Sequence, residues 1–191
     1  MSSSVGNNPL RLLRLVLLCL ALGGCVPSLH RLYDTKSLAF SPALLGAWRS
    51  GDGSVHFLFT HARAPGLYRM VYVSGDQPPV PFRAALLRLH GTTYLDLTPR
   101  LPRAMKGPGF LQLHTLLWHS FARVSLTGNR LALHLADPGW LGAWLSRYPA
   151  ALAHFSNRGL IYLTADTAAL QRFVAEHPAM FATKATVFTR P

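Results

Sequence analysis

The feature that most constrains the fold is a series of short alternating runs between residues 55 and 135, broken by glycine, proline, aspartate and asparagine. Runs such as LYRMVYV (67–73) and TTYLDLT (92–98) alternate their side chains with a period of two, which is typical of strands with one face in a core. Gly-Asp-Gly at 51–53 and Thr-Gly-Asn at 127–129 supply turns between runs. The pattern predicts an antiparallel meander.

The period changes after residue 136, where two segments repeat apolar side chains at helical spacing. Asp137 and Pro138 have the residue types of a helix N-cap and first helical position, and Asp166 is the N-cap of a second helix that Pro178 ends. Two apolar stripes follow these caps: Trp140, Leu141, Trp144, Leu145 and Tyr148, then Leu170, Phe173, Val174 and His177. The sequence predicts a mainly β (α+β) domain, an antiparallel barrel or curved sheet with about two inserted C-terminal helices.

The first 25 residues differ in composition from the rest. Arg11 and Arg14 precede a short apolar stretch that ends at small residues and Cys25. This is the arrangement of a secretory signal, with a positive region, about 7–15 apolar residues and a cleavage point. A membrane-spanning helix needs about 20 consecutive apolar residues, and this stretch is too short. We therefore expect export rather than a membrane span.

Leu22-Gly23-Gly24-Cys25 resembles the lipobox of bacterial lipoproteins. The resemblance implies cleavage before Cys25, a diacylglyceryl thioether on its thiol and frequent acylation of the new amine. The alternatives are an ordinary signal peptide or an incidental cysteine. Val26 stands where an aspartate favours inner-membrane retention in Gram-negative lipoproteins, so we expect a lipid-anchored cell-envelope protein, in the outer membrane if the source is Gram-negative.

This interpretation divides the chain into a signal peptide over residues 1–24, a lipidated cysteine and tether over 25–40, and one domain over 41–191. Cys19 is the only other cysteine and would be discarded with the signal. The mature domain would then contain neither a free thiol nor a disulfide. Its stability would have to come from a packed core.

Basic residues outnumber acidic ones 19 to 7 in the whole chain, for a formal net charge of +12. Removal of Arg11 and Arg14 with the signal leaves 17 against 7, or +10. Such a surface attracts anions, and in the envelope these are lipid head groups, glycans or another anionic component rather than nucleic acid. The alternative is arginine usage that reflects a GC-rich genome.

The sequence LLGAW (44–48) enters the first run of the meander. Its Gly46 and Trp48 resemble the Gly-x-Trp signature of lipocalin-like proteins. That resemblance implies a tryptophan that closes one end of an antiparallel barrel and a glycine that permits a close backbone turn. The layout of the whole chain resembles small bacterial lipoproteins with a lipocalin-like domain, and this implies binding of an apolar or amphiphilic molecule.

The sequence contains no motif that predicts catalysis, a cofactor or a metal site. The nine histidines form no His-x-x-x-His pair and no cluster with cysteine, and no serine lies in a Gly-x-Ser-x-Gly elbow. Asp96 is the one acidic residue within a predicted strand, the run at 92–98, and we expect it to pair with an arginine. A hydrolase would need an acid and a histidine together in a cleft, which the spacing neither shows nor forbids.

The strongest candidate for a ligand site combines strand and loop residues. The loop RLPRAMKGPGF (100–110) supplies the cations Arg100, Arg103 and Lys106 among apolar neighbours, while Tyr68, Met70 and Tyr72 share one strand face. At a barrel mouth these groups would hold the head and tail of an amphiphile. The alternatives are a solvated loop, or an adaptor lipoprotein that docks on an envelope partner through its basic surface. An open pocket behind Trp48 favours the carrier, and a filled core with an exposed aromatic patch favours the adaptor.

Overall fold

A computed structural model of the protein describes residues 26–100 and 116–191. These two stretches form eleven strands, two α-helices and two short 3-10 helices over Pro42–Leu44 and Pro178–Phe181. The strands are β1 (Leu38–Ala39), β2 (Gly46–Ser50), β3 (Val55–His61), β4 (Leu67–Ser74), β5 (Val80–Leu89), β6 (Thr92–Pro99), β7 (Ser120–Thr127), β8 (Arg130–Leu135), β9 (His154–Asn157), β10 (Leu160–Leu163) and β11 (Thr186–Thr189). The helices are α1 (Pro138–Arg147) and α2 (Thr167–Glu176).

Eight antiparallel strands close into a barrel. Their order is β5-β4-β3-β2-β11-β8-β7-β6, and β6 pairs again with β5. The last strand of the chain, β11, lies between β2 and β8 and completes the circuit. The prediction of a mainly β domain with two helices inserted before the last strand is confirmed, and of its two forms the closed barrel is the one observed.

Two hydrophobic layers meet at the barrel wall because successive side chains of a strand point to opposite faces. In β6, Leu95 and Leu97 belong to the interior layer, whereas Tyr94 belongs to the layer outside the wall. The outer layer is covered by the two helices and by the hairpin of β9 and β10, which explains why β5 is apolar on both faces at Ala84–Leu87. The domain therefore has one core inside the barrel and a second between the barrel and its helices.

Both helices begin where their caps predict. The Asp137 carboxylate accepts hydrogen bonds from the backbone amides of Gly139 (2.8 Å) and Trp140 (3.1 Å), and the Asp166 carboxylate accepts one from Ala169 (2.8 Å). These bonds satisfy amides that have no partner within the helix. Across the described parts of the chain, no helix is long and apolar enough to cross a membrane.

Residues 26–40, which the sequence analysis treats as a tether, pack onto the outside of the barrel. Ser28 exchanges backbone hydrogen bonds with His119 (2.9 and 2.8 Å), while Leu163 donates to Pro27 (2.9 Å). Four side chains of this segment are buried and three of them belong to the outer core: Val26, Ser28, Leu32 and Tyr33. The segment is thus part of the folded domain almost from the residue that follows Cys25.

Candidate functional site

Trp48 closes one end of the barrel. Its side chain is 0% exposed, and its indole Nε1 donates to the carbonyl oxygen of Leu44 at 2.9 Å. The Arg190 guanidinium covers the ring at 4.6 Å and donates to the carbonyl oxygen of Ala43 at 2.7 Å. Arg190 was not among the predicted site residues, because no local pattern around it indicates that it returns to Trp48.

Gly46 is required by the same contact. Its φ is +106°, a region that glycine adopts readily and other residues rarely do, and a Cβ there would lie 2.8 Å from Nη1 of Arg190. The guanidinium therefore lies close against the β2 backbone because this position has no side chain. Gly46, Trp48 and Arg190 together form the closed end.

The half of the barrel next to Trp48 is filled. Tyr68 and Met70 lie in the interior and are almost completely buried. The Tyr68 hydroxyl accepts from the Ser41 amide (2.7 Å) and donates to the Ser41 carbonyl (3.1 Å), and Phe40 stacks on its ring at 5.1 Å. Burial raises the pKa of Tyr68 above 10.0, opposed by the hydrogen bond with Ser41. These two candidate ligand residues are core residues of the closed half.

The opposite end of the barrel has a ring of apolar side chains that are only partly buried. The strand register puts these residues at or near the strand ends where β2 stops and β3 begins, and each packs against the interior core: Val55, Tyr72, Phe82, Leu97 and Leu135. Below this ring, which we call the apolar ring, the wall carries the small side chains Ala84 and Ala122. Of the three predicted interior residues, Tyr72 is the one at the half-exposed end.

Arg100 follows β6 at the end with the apolar ring. It is exposed, and its backbone amide donates to the carbonyl oxygen of Pro81 at 2.8 Å. The other two predicted loop cations, Arg103 and Lys106, lie outside the described residues, as does Cys25. Because the loop leaves β6 after Pro99 and enters β7 at Ser120, both of its ends are at the apolar ring.

A separate surface cavity of about 460 Å³ lies between the segment before β1, the β5–β6 turn and α2. Three permanent cations line it, Lys36, Arg88 and Arg172, together with His90. Its one carboxylate, Asp34, accepts from the amides of Ser37 (2.7 Å) and Lys36 (3.0 Å), and the bonds from Ser37 lower its pKa. We call this cavity the basic pocket. Its residues come from three distant segments, so no local motif predicted it.

Asp96 pairs with His119, and the expectation of an arginine partner is wrong. The carboxylate, 1% exposed, meets Nδ1 of His119 at 2.7 Å and accepts from the Leu32 amide at 2.7 Å. The Thr98 hydroxyl also meets Nδ1 at 2.7 Å. In a catalytic triad the acid and the nucleophile contact different ring nitrogens. Here both contact Nδ1 most closely, so the arrangement fastens segment 26–33 to the barrel.

An exposed apolar patch lies on the outward face of the β9–β10 hairpin. The Tyr162 ring stacks on Phe155 at 4.8 Å and lies 5.2 Å from the ring of Trp118. Leu160 follows on the same face of β10, and Leu29 donates its amide to Leu163 at 2.8 Å beside that strand. We call these residues the hairpin patch: Leu29, Trp118, Phe155, Leu160 and Tyr162.

The described residues contain no group of three or more His, Cys, Asp or Glu side chains arranged to hold a metal ion. The closed barrel fold is compatible with ligand binding, and the filled half behind Trp48 restricts any interior site to the end with the apolar ring. Comparison of the chain with protein-family models, with curated proteins and with solved structures gives no match.

Proposed function

We propose that the chain is a lipid-anchored protein of the cell envelope whose barrel binds the apolar part of an amphiphile at the end opposite Trp48. The apolar ring carries this proposal, because its five side chains are only partly buried, whereas large interior side chains nearer Trp48, such as Tyr68 and Leu131, are fully buried. Apolar surface in a concavity with a few polar groups is the usual composition of a small-molecule site. The filled half limits penetration, so the ligand's tail would occupy only the outer part of the interior.

The cations of the β6–β7 loop would bind the head group of the ligand. Arg100 stands at the rim, and Arg103 and Lys106 follow in the same loop. Two arginines and a lysine attract phosphate or carboxylate groups, and no acidic residue lies between Asp96 and Asp137 to oppose them. An anionic lipid combines the two chemistries that this end of the barrel offers.

The anchor is tested by metabolic labelling. Labelled fatty acid should appear on the wild-type chain and be absent from Cys25→Ala, with Cys19→Ala as the matched control that keeps the label. Equal labelling of wild type and Cys25→Ala would reject the lipobox interpretation and leave an ordinary signal peptide as the explanation.

The ligand is tested by native mass spectrometry of protein expressed from the full chain and gently purified. We expect a reproducible noncovalent lipid that is retained in Arg83→Ala, an exposed cation on the outer face of β5. The lipid should be lost in the double variant Arg103→Ala/Lys106→Ala and in Phe82→Asp, which puts a charge into the apolar ring. Protein that is bare under these conditions, or that loses the lipid equally in Arg83→Ala, contradicts the proposal.

A second candidate function is an adaptor that docks on an anionic envelope component through the basic pocket. The specific observation is a set of three permanent cations that line one cavity with a single carboxylate. The filled half behind Trp48 and the exposed aromatic hairpin patch are the two features that the sequence analysis connected with an adaptor, and they also favour this candidate. A photo-crosslinking residue at Arg172 should give a discrete adduct that disappears in Lys36→Ala/Arg88→Ala. The same residue at Arg69, an exposed cation on β4, should give none.

A further inference from the structure

We propose that the hairpin patch is a membrane-contact surface, which holds the domain directly against an anionic lipid bilayer. The inference rests on the lipid anchor proposed for Cys25, and it adds the orientation of the domain and the residues that touch lipid. Three observations carry it: the position of the patch next to Cys25, the chemistry of its side chains and the charge around it.

The patch lies within a few residues of the proposed anchor. Val26 is 2% exposed, and Ser28 is fixed by its two backbone bonds to His119. Leu29 is four positions after Cys25, and four extended residues span at most about 14 Å. Acyl chains on Cys25 would therefore enter the bilayer beside the patch, with no free segment that would let the domain stand away from the membrane.

The side chains suit the boundary between lipid and water. Leu160 is 51% exposed, Phe155 is 45% exposed and Leu29 is 37% exposed, although large apolar side chains are usually buried. Trp118 and Tyr162 add aromatic rings with a polar atom, the residue types enriched at membrane interfaces. Leu116 and Leu117, the two residues before Trp118, are also exposed.

The charge of this surface complements anionic lipid. Asp34 and Asp166 lie just outside residues 26–33, 116–122 and 153–163, which build this surface, but these three segments themselves contain no aspartate or glutamate. They do contain Arg31, next to the first segment's buried residues, and Arg158, in the turn between β9 and β10. Asp96 lies beneath this region, but it is buried and bonded to His119. Basic residues close to an anionic leaflet are attracted to it electrostatically.

The patch also lies at the barrel end that carries the apolar ring. Trp118 and His119 come directly before β7, whose first residue pairs with Leu97 of the ring. A domain seated on the patch would hold this end of the barrel near the bilayer. An amphiphile would then have a short path between the membrane and the apolar ring.

Spin labelling tests the contact in the protein as it is made from the full chain. Because Cys19 and Cys25 are the only cysteines in the sequence, Leu160→Cys introduces the only thiol of the folded domain. The matched control is Ser125→Cys, an exposed position on β7 toward the Trp48 end. Each labelled protein is incorporated into phosphatidylcholine vesicles that contain phosphatidylglycerol, and collisions with oxygen and with a water-soluble nickel chelate are compared.

We expect the label at position 160 to collide more often with oxygen, which concentrates in lipid, than with the nickel chelate. We expect the label at position 125 to collide more often with the nickel chelate, which stays in water. Water-like collisions at both positions in vesicle-bound, acylated protein would overturn the inference while the proposed anchor stands, and would leave the patch to a protein partner. Intact mass reports acylation separately. A chain with unmodified Cys25 that fails to float with the vesicles overturns the anchor and the membrane contact together.

Discussion

At the scale of single residues, Asp96 does the most to join distant parts of the chain. Its two carboxylate oxygens bind the Leu32 amide of the N-terminal segment and His119 before β7, and the carboxylate itself is buried. A buried carboxylate is tolerated in a core only when hydrogen-bond donors replace the water that it has lost. Asp96 therefore holds residues 26–33 in place, and with them the start of the domain beside Cys25.

Removal of this carboxylate should destabilise the protein locally and globally. In Asp96→Ala we expect the free energy of unfolding to fall by about 1–3 kcal/mol for each buried donor left without a partner. Urea unfolding followed by tryptophan fluorescence measures the loss, and amide exchange in residues 26–33 should accelerate. Asp76→Ala, at an exposed turn, should stay within about 0.5 kcal/mol of wild type. An unchanged urea midpoint in Asp96→Ala contradicts the role.

Tyr68 predicts an alkaline loss of stability. Burial raises its pKa in the folded state, so the folded protein favours the neutral phenol. This contribution is present in full below the unfolded pKa of about 10 and is lost as the pH rises from there through the raised folded pKa. Tyr68→Phe should therefore show a shallower decline of stability at alkaline pH, measured by urea unfolding at a series of pH values. A decline equal to that of wild type would contradict this assignment.

At the scale of elements, the same tripeptide has two different structural roles. Gly-Ala-Trp occurs at 46–48, where β2 begins, and at 142–144, inside α1. In β2 the glycine has a positive φ and Arg190 packs over its Cα. In α1 a Cβ on Gly142 would meet Ile161 Cδ1 at 3.4 Å, an ordinary contact distance. The tripeptide alone therefore does not determine the conformation or the structural role of its glycine.

One substitution at both positions should have opposite effects. Gly46→Ala should lower the free energy of unfolding by about 1–3 kcal/mol, because alanine is strained at this φ and its Cβ displaces Arg190. Gly142→Ala should raise it by about 0.4–1 kcal/mol, because alanine is a better helix former and restricts the unfolded chain. Thermal or urea unfolding of the two variants measures both changes. Equal effects at the two sites would refute the assignment of Gly46.

Local patterns predicted the elements well because their causes are local. Asp137-Pro138 marks the start of α1 by itself, and the alternation in β4 and β6 follows from the sheet geometry. The sites depend on contacts between distant residues. Asp96 and His119 are 23 residues apart, and Arg190 reaches back to Trp48, so no window of sequence contains either pair. The barrel was predictable as a class, but its closure and the packing of residues 26–40 were not.

At the scale of the whole molecule, positive charge is in large excess and little of it is paired. Within the described residues the only ion pair joins His119 to Asp96, so no arginine or lysine there forms a salt bridge with a carboxylate. Three of these unpaired cations line one cavity, the basic pocket: Lys36, Arg88 and Arg172. The surface can thus attract anions generally and hold one of them more tightly at the basic pocket.

Retention on a heparin column separates these two contributions. Lys36→Ala/Arg172→Ala should elute at a clearly lower salt concentration than Arg69→Ala/Arg83→Ala, although both double variants lose two positive charges. Focused charge in a cavity acts at close range, whereas scattered surface charges are screened over about 10 Å at 0.1 M salt. Equal elution of the two variants would show that only the net charge matters and that the basic pocket is not a site.

The insertion of β11 between β2 and β8 has a consequence for how the molecule is made. Its four residues pair with β2 and β8, and the barrel is closed only when they have done so; Arg190, which follows them, lies over Trp48. Until then β2 and β8 have unpaired edges of the kind that recruit other chains. Because β2 is the first barrel strand along the chain and β11 the last, closure joins residues that are far apart in sequence, so the period of greatest risk of aggregation lasts until this distant contact has formed.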